Sequence, residues 1–196
     1  MYMVIKSSNL YEISMPSKNL LTIWTGQFGL EVYEEIHNDE RNRILHTAFL
    51  PFVFYGVFRG IPTLFLIPAK YSWIIIGAII SLYCGYYATF DQEGAILSAI
   101  TTLPTAVLAY WHLYECEYKS MSRFQHFIRS VGYLAGSLFL LEVVGHSLFE
   151  DVNSRMTFSY VTNAVIYSPL YYAKTFVEYI PYSFLPTLAF MNWQLS

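Results

Sequence analysis

Apolar runs about as long as a membrane is thick constrain this chain more than any other feature. A helix needs roughly 20 apolar residues to cross the hydrocarbon. Four stretches meet that length: FLPFVFYGVFRGIPTLFLIP at 49–68, YSWIIIGAIISLYCGYYATF at 71–90, AILSAITTLPTAVLAYWHLY at 95–114 and SVGYLAGSLFLLEVVGHSLF at 130–149. A fifth, FSYVTNAVIYSPLYYAKTFVEYI at 158–180, is less uniform. Lipid leaves no partner for a bare amide, so runs of this kind fold as helices. The expected fold is all-α, a polytopic membrane helix bundle with four firm transmembrane helices and a fifth candidate. Arg59, Gly60 and Pro62 interrupt the first run, which is expected to kink or split into two half-helices.

The remaining chain divides around that bundle. Residues 1–36 hold NLLTIWTGQFGLEVYEEIH, whose mixed polarity fits an amphipathic segment at the membrane surface, and 37–180 form the embedded bundle with 181–196 as a tail. Charged residues make up 13% of the chain, about half the share of a soluble domain. A net charge of -3 offers no basic stripe for nucleic acid. Cys84 and Cys116 stand in no ligand or disulfide spacing. The first residues lack the pattern of a removable signal peptide. Lys6, Lys18, Arg41 and Arg43 precede the first span and favour a cytoplasmic amino terminus.

Counting crossings sorts the histidines. His37 and His46 lie just before the first span, and four crossings bring His146 back to that face, with Glu142 and Glu150 beside it. His112 and His126 land on the far face and are read as structural. On one straight helix His37 and His46 would sit about 13 Å apart on opposite faces. A break at Asn38 and Asp39 lets them converge. Asn42 shares a helix face with His46, as does His146 with both Glu142 and Glu150.

Ionisable groups at membrane depth are costly, so their presence marks function by default. Three imidazoles with carboxylates suit Fe, Zn, Cu or Ni better than Mg or Ca, with non-haem iron and catalytic zinc the leading candidates. GxSxG, Walker, GxGxxG and HExxH motifs are absent, and five histidines are too few for a di-iron desaturase.

Two motifs carry a resemblance. His37, Asn42, His46 and Pro51 fill HxxxxNxxxHxxxxP, and Gly145, His146, Phe149 and Glu150 fill GHxxFE at the end of a span. Both resemble the fungal-type 2-hydroxy fatty acid dioxygenases, small endoplasmic-reticulum membrane proteins of fatty acid alpha-oxidation and phytosphingosine breakdown. Pro169 matches a central proline in the apolar stretch that follows. Glu142 stands where the family has glutamine, and DVNSRM replaces its basic, proline-containing stretch.

The resemblance implies an Fe(II)-dependent membrane enzyme that turns a 2-hydroxy fatty acid and O2 into the one-carbon-shorter acid and CO2. His37, His46 and His146 would be the metal ligands, on the cytoplasmic side of the endoplasmic reticulum. Glu150 would be a fourth ligand or orient an imidazole, Asn42 would hydrogen-bond the substrate carboxylate or a ligand, and Glu142 would support the site. Arg41 and Arg43 would attract the carboxylate head group or serve only as a positive-inside anchor. The acyl tail would lie in an apolar slot among the aromatic spans. The alternatives are a lipid enzyme that uses the same histidines and acids for proton transfer, and a membrane scaffold or transport component. The small residues of GYLAGS, 132–137, are expected to pack helix against helix.

Overall fold

The computed structural model describes residues 26–118, 122–149 and 158–178. These are helical throughout apart from short turns: α1 Gly26–Ile36, α2 Glu40–Leu64, α3 Ala69–Tyr87, α4 Gln92–Tyr118, α5 Arg123–Phe149 and α6 Phe158–Glu178. Within α5, residues Phe139–Gly145 are wound as π-helix.

Local chemistry sets the breaks. Asp39 caps α2 by accepting from the Arg41 amide, and Ser122 forms a reciprocal capping box with Gln125 at the start of α5. After α2 the chain turns through Leu66 at φ 55° and re-enters a helix behind Pro68. Against expectation, α2 neither splits nor stops at Arg59 and Gly60. It runs unbroken from Glu40 to Leu64 with Pro51 and Pro62 inside it. Burial explains the tolerance, because tertiary packing on several sides outweighs local helix propensity.

The centre of the bundle is α2, packed against α5 most closely. A Cβ on Gly56 would sit 3.0 Å from both Leu134 and the Ser130 carbonyl, so glycine is what lets these two backbones approach. Within GYLAGS the packing falls to Leu134 and Ser137 and not to the glycines. A Cβ added at Gly132 or Gly136 would meet nothing within 4 Å, because the inward phase of α5 falls on Ser130, Leu134 and Ser137 and leaves both glycines facing outward.

Among the described residues three helices are long and apolar enough to cross a membrane: Glu40–Leu64, Gln92–Glu115 and Arg123–Phe149. Their outer surfaces are apolar, as lipid contact demands: Ile96, Ile100, Leu103, Val107 and Trp111 line the exposed face of α4. The other two expected spans are helices as well, but length and composition do not establish them as crossings. Lys70 and a tyrosine-rich end dilute the 19 residues of α3, and Asn163 and Lys174 interrupt α6. The amphipathic helix near the amino terminus exists over 26–36, and its apolar face is buried against the bundle at Leu30 and Tyr33. Residues 1–25 and the tail lie outside the described residues.

Candidate metal centre

His37 follows the last turn of α1, and His46 sits in the second turn of α2. The three-residue break between those helices folds α1 back, so the 13 Å separation of a straight helix collapses. The two rings lie 4.4 Å apart, and His146 from the end of the π segment closes the group at 4.8 Å from His37 and 5.5 Å from His46. One donor atom from each of the three lies within 4.8 Å of the others, a group that could hold a metal ion. The three side chains are at most 1% exposed.

Hydrogen bonding fixes which nitrogens are free to bind. Nδ1 of His37 lies 2.6 Å from the Tyr33 carbonyl, and Nδ1 of His46 lies 3.0 Å from the Asn42 carbonyl. A carbonyl only accepts, so each Nδ1 carries the hydrogen and each Nε2 carries a lone pair. Those two Nε2 atoms face one another at 3.1 Å. Lone pairs repel at that distance unless a cation lies between them. A proton is poorly favoured, since burial, reinforced by His46 and His146, holds the His37 imidazole well below its ordinary value. A metal fits better: two donors about 2.1 Å from one centre, at right angles, stand about 3 Å apart. Backbone carbonyls holding the opposite ring nitrogen are the usual support of metal-binding histidines.

The surroundings sort the remaining residues. Glu142, in the π segment and 6% exposed, has Oε2 3.7 Å from His146 Nε2. Such π turns recur at functional sites. Asn42 is fully buried beneath Gly145, where a Cβ would meet its Oδ1 at 2.5 Å. Arg41 does not turn toward the histidines. Its exposed guanidinium pairs with Asp39 at 2.8 Å and covers the Phe149 ring, and the pairing holds the Asp39 carboxyl down at about 2. Arg43 is partly buried, and its carbonyl accepts from Thr47. Glu150 lies outside the described residues.

Two tyrosines at the site belong to neither sequence motif. Tyr33 stacks on His37 at 4.2 Å, and Tyr171 of α6 lies 5.0 Å from His37 and 6.2 Å from His46. Tyr33 precedes His37 by one helical turn and was discoverable by that spacing. Tyr171 was not, because only tertiary folding brings α6 to the site.

Beside the centre a cavity of about 300 Å3 runs into the bundle. Leu50, Phe54 and Phe58 of α2 and Leu134, Leu138 and Leu141 of α5 form much of its wall, with α3, α4 and α6 supplying the rest. Tyr33 and Glu142 join it at the histidine end.

His112 and His126 are held elsewhere. Arg59, about 20 Å along α2 from His46 at 1.5 Å per residue, donates to Tyr55 Oη and to His126 Nδ1, each at 2.7 Å. Tyr55 Oη and His112 Nδ1 in turn share a hydrogen bond at 2.7 Å. A guanidinium has no acceptor, so His126 accepts at Nδ1, the reverse of His37 and His46.

Comparison with protein-family models, with curated proteins and with solved structures yields no match.

Proposed function

We propose that this chain is a multi-pass membrane dioxygenase, Fe(II)-dependent, that converts a 2-hydroxy fatty acid and O2 to the one-carbon-shorter fatty acid, CO2 and water. The observation that carries the reading is the opposed pair of Nε2 lone pairs on His37 and His46, 3.1 Å apart and closed by His146. The apolar cavity next to them supports a lipid chain as the substrate's body. The two motifs shared with the 2-hydroxy fatty acid dioxygenases support the chemistry and an endoplasmic-reticulum location, with four or five crossings and the centre facing the cytoplasm.

His37, His46 and His146 would hold the metal, and the resemblance would add Glu150 as a fourth ligand or the orienter of an imidazole. Iron(II) there would supply the one-electron chemistry that O2 requires and zinc lacks. Oxidising the hydroxyl carbon and releasing the carboxyl carbon as CO2 together yield four electrons, so no reducing partner is needed. The chain's own part is to bind and shield. Tyr33 and Tyr171 keep water from the imidazoles, Asn42 holds His46 through its carbonyl, and the leucine and phenylalanine wall takes the tail.

The test is anaerobic Fe(II) loading of detergent-purified protein, wild type beside His146→Ala, followed by a 2-hydroxy fatty acid and O2. Stoichiometric iron lost in the variant, with the shortened acid formed by wild type, is the expected result. Iron without turnover rejects the substrate. Failure to bind any metal through His146 rejects the mechanism.

A further inference from the structure

A line of tyrosines leaves the metal centre and reaches the surface of the bundle. Its first ring, Tyr33, stacks on His37 with centroids 4.2 Å apart. Tyr171, the other tyrosine against the imidazoles, joins at Tyr33 with 5.2 Å between the rings. Tyr33 meets Tyr167 of α6 at 6.5 Å, and Tyr167 meets Tyr86 of α3 at 6.4 Å. These separations are those of direct aromatic contact. Tyr33, Tyr171 and Tyr167 are at most 2% exposed, whereas Tyr86 is partly exposed.

The hydroxyls are ordered as well as the rings. Tyr167 Oη and Tyr86 Oη share a hydrogen bond at 3.0 Å, and Tyr86 Oη accepts from the Gly26 amide at 2.9 Å. A Cβ on Gly29 would overlap Tyr167 Oη, so a glycine in α1 is what admits that hydroxyl. Phenylalanine would serve packing alone. A phenol adds an O–H group that can give up an electron and a proton together when another oxygen stands within hydrogen-bond reach.

We propose that Tyr33, Tyr167 and Tyr86 form an electron relay that drains oxidising equivalents from the metal centre when O2 reacts there without substrate. This rests on the functional reading above for the redox metal. Reducing O2 to two waters takes four electrons and four protons. In the proposed reaction the substrate supplies the electrons. In its absence one comes from Fe(II) as it becomes Fe(III), and three come from the protein, where the imidazoles are nearest. Tyr33 gives an electron and its phenolic proton in their place, and Tyr167 restores Tyr33 in the same way. Tyr86 restores Tyr167 by passing a hydrogen atom across the 3.0 Å bond, which breaks its own O–H bond and re-forms that of Tyr167. Three phenolic protons and one from solvent complete the water. The phenoxyl left on Tyr86 is reduced from outside by ascorbate or a thiol, which delivers one electron and one proton.

The experiment follows the radical and the damage, not turnover. Full-length protein in detergent is loaded with Fe(II) anaerobically, its iron content is measured, and O2 is added without fatty acid. Samples frozen at intervals are read for a tyrosyl radical by electron paramagnetic resonance. Peptide mass spectrometry measures oxidation of His37, His46 and His146. Wild type is expected to show a radical that ascorbate quenches readily, with little oxidation of the histidines. Tyr167→Phe and Tyr86→Phe keep the rings and remove the hydroxyls. Each should bind iron as wild type does, hold a radical that ascorbate quenches several-fold more slowly, and oxidise the histidines several-fold faster.

Equal quenching and equal histidine oxidation in wild type and both variants overturn the relay. So does the absence of any tyrosyl radical in iron-loaded wild type that consumes O2. Loss of iron from Tyr86→Phe does so too, since the line of tyrosines would then be structural. Failure of wild type to bind iron rejects the functional reading and the relay with it. A working relay in a protein that forms no shortened acid from a 2-hydroxy fatty acid would reject the dioxygenase reading and leave the relay standing.

Discussion

Nε2 of His37 and Nε2 of His46 point at each other across 3.1 Å, while Nδ1 of each ring is held by a carbonyl of its own helix, Tyr33 for one and Asn42 for the other. The two rings come from the turn that ends α1 and from α2, so a cation shared between them would tie α1 to the bundle.

Metal should therefore act as a structural clasp. Binding to the folded state alone at a concentration 100 times the dissociation constant stabilises by about 2.7 kcal/mol. Zn(II) or Fe(II) added to metal-free protein should raise the unfolding temperature in detergent, and a chelator should reverse it. His37→Ala should abolish the shift. A metal-induced rise that persists in His37→Ala would place the ion elsewhere.

Gly145→Ala should damage the centre from behind. Its new methyl would meet Asn42 Oδ1 at 2.5 Å, pushing α5 away from the helix that carries His46. Overpacking of this kind costs about 1–3 kcal/mol, and metal affinity should fall with it. Because the hardest contact is with Asn42 and the next, Leu45 Cδ2, is at 3.1 Å, Asn42→Ala should relieve part of it. The double variant is expected to lose less than the sum of the two single ones.

Acid should destabilise the metal-free protein through His37. Its native imidazole titrates well below the ordinary 6.5, chiefly because of burial. Above about 6.5 both folded and unfolded states hold it neutral. As pH falls below that value the unfolded state takes up a proton that the native state refuses, so stability is lost toward the depressed native value. The slope for one proton is at most about 1.4 kcal/mol per pH unit. Denaturation midpoints between pH 7 and 5 should show the decline, and His37→Gln should flatten it.

Arg59→Met should separate the two polar centres. It removes the donor to Tyr55 and His126, leaving buried groups short of a partner at a cost of about 1–3 kcal/mol. Metal stoichiometry should not change, since the network lies some 20 Å along α2 from His46. Loss of metal binding in a variant that is still folded would couple the two centres.

Much of this was legible before folding. The apolar runs located all five bundle helices, α2 to α6, and the order of those runs separated His37, His46 and His146 from His112 and His126. The Asn38–Asp39 break told that two histidines nine residues apart could meet. The errors have physical causes. Arg59, Gly60 and Pro62 looked like a break, yet a buried helix tolerates them. Arg41 could be read as a head-group cation or as a positive-inside anchor, and the sequence did not tell that Asp39, two residues away, pairs with it. Ser137 of GYLAGS packs inward but its glycines face outward, because composition carries no phase.

Sequence alone determined what is periodic or local: helix positions, caps, the spacing of each histidine from the residue that holds its Nδ1. Such contacts span one helical turn and depend on the backbone that connects them. Only the tertiary structure decided the rest. It turned α1 back over α2, brought Tyr171 to the imidazoles, reset α5 through a π segment so that Glu142 faces both cavity and His146, and linked Arg59 with His112 and His126. Those relations join residues up to about 130 positions apart along the chain, and they are set by how helix surfaces fill space against one another, which no single segment encodes.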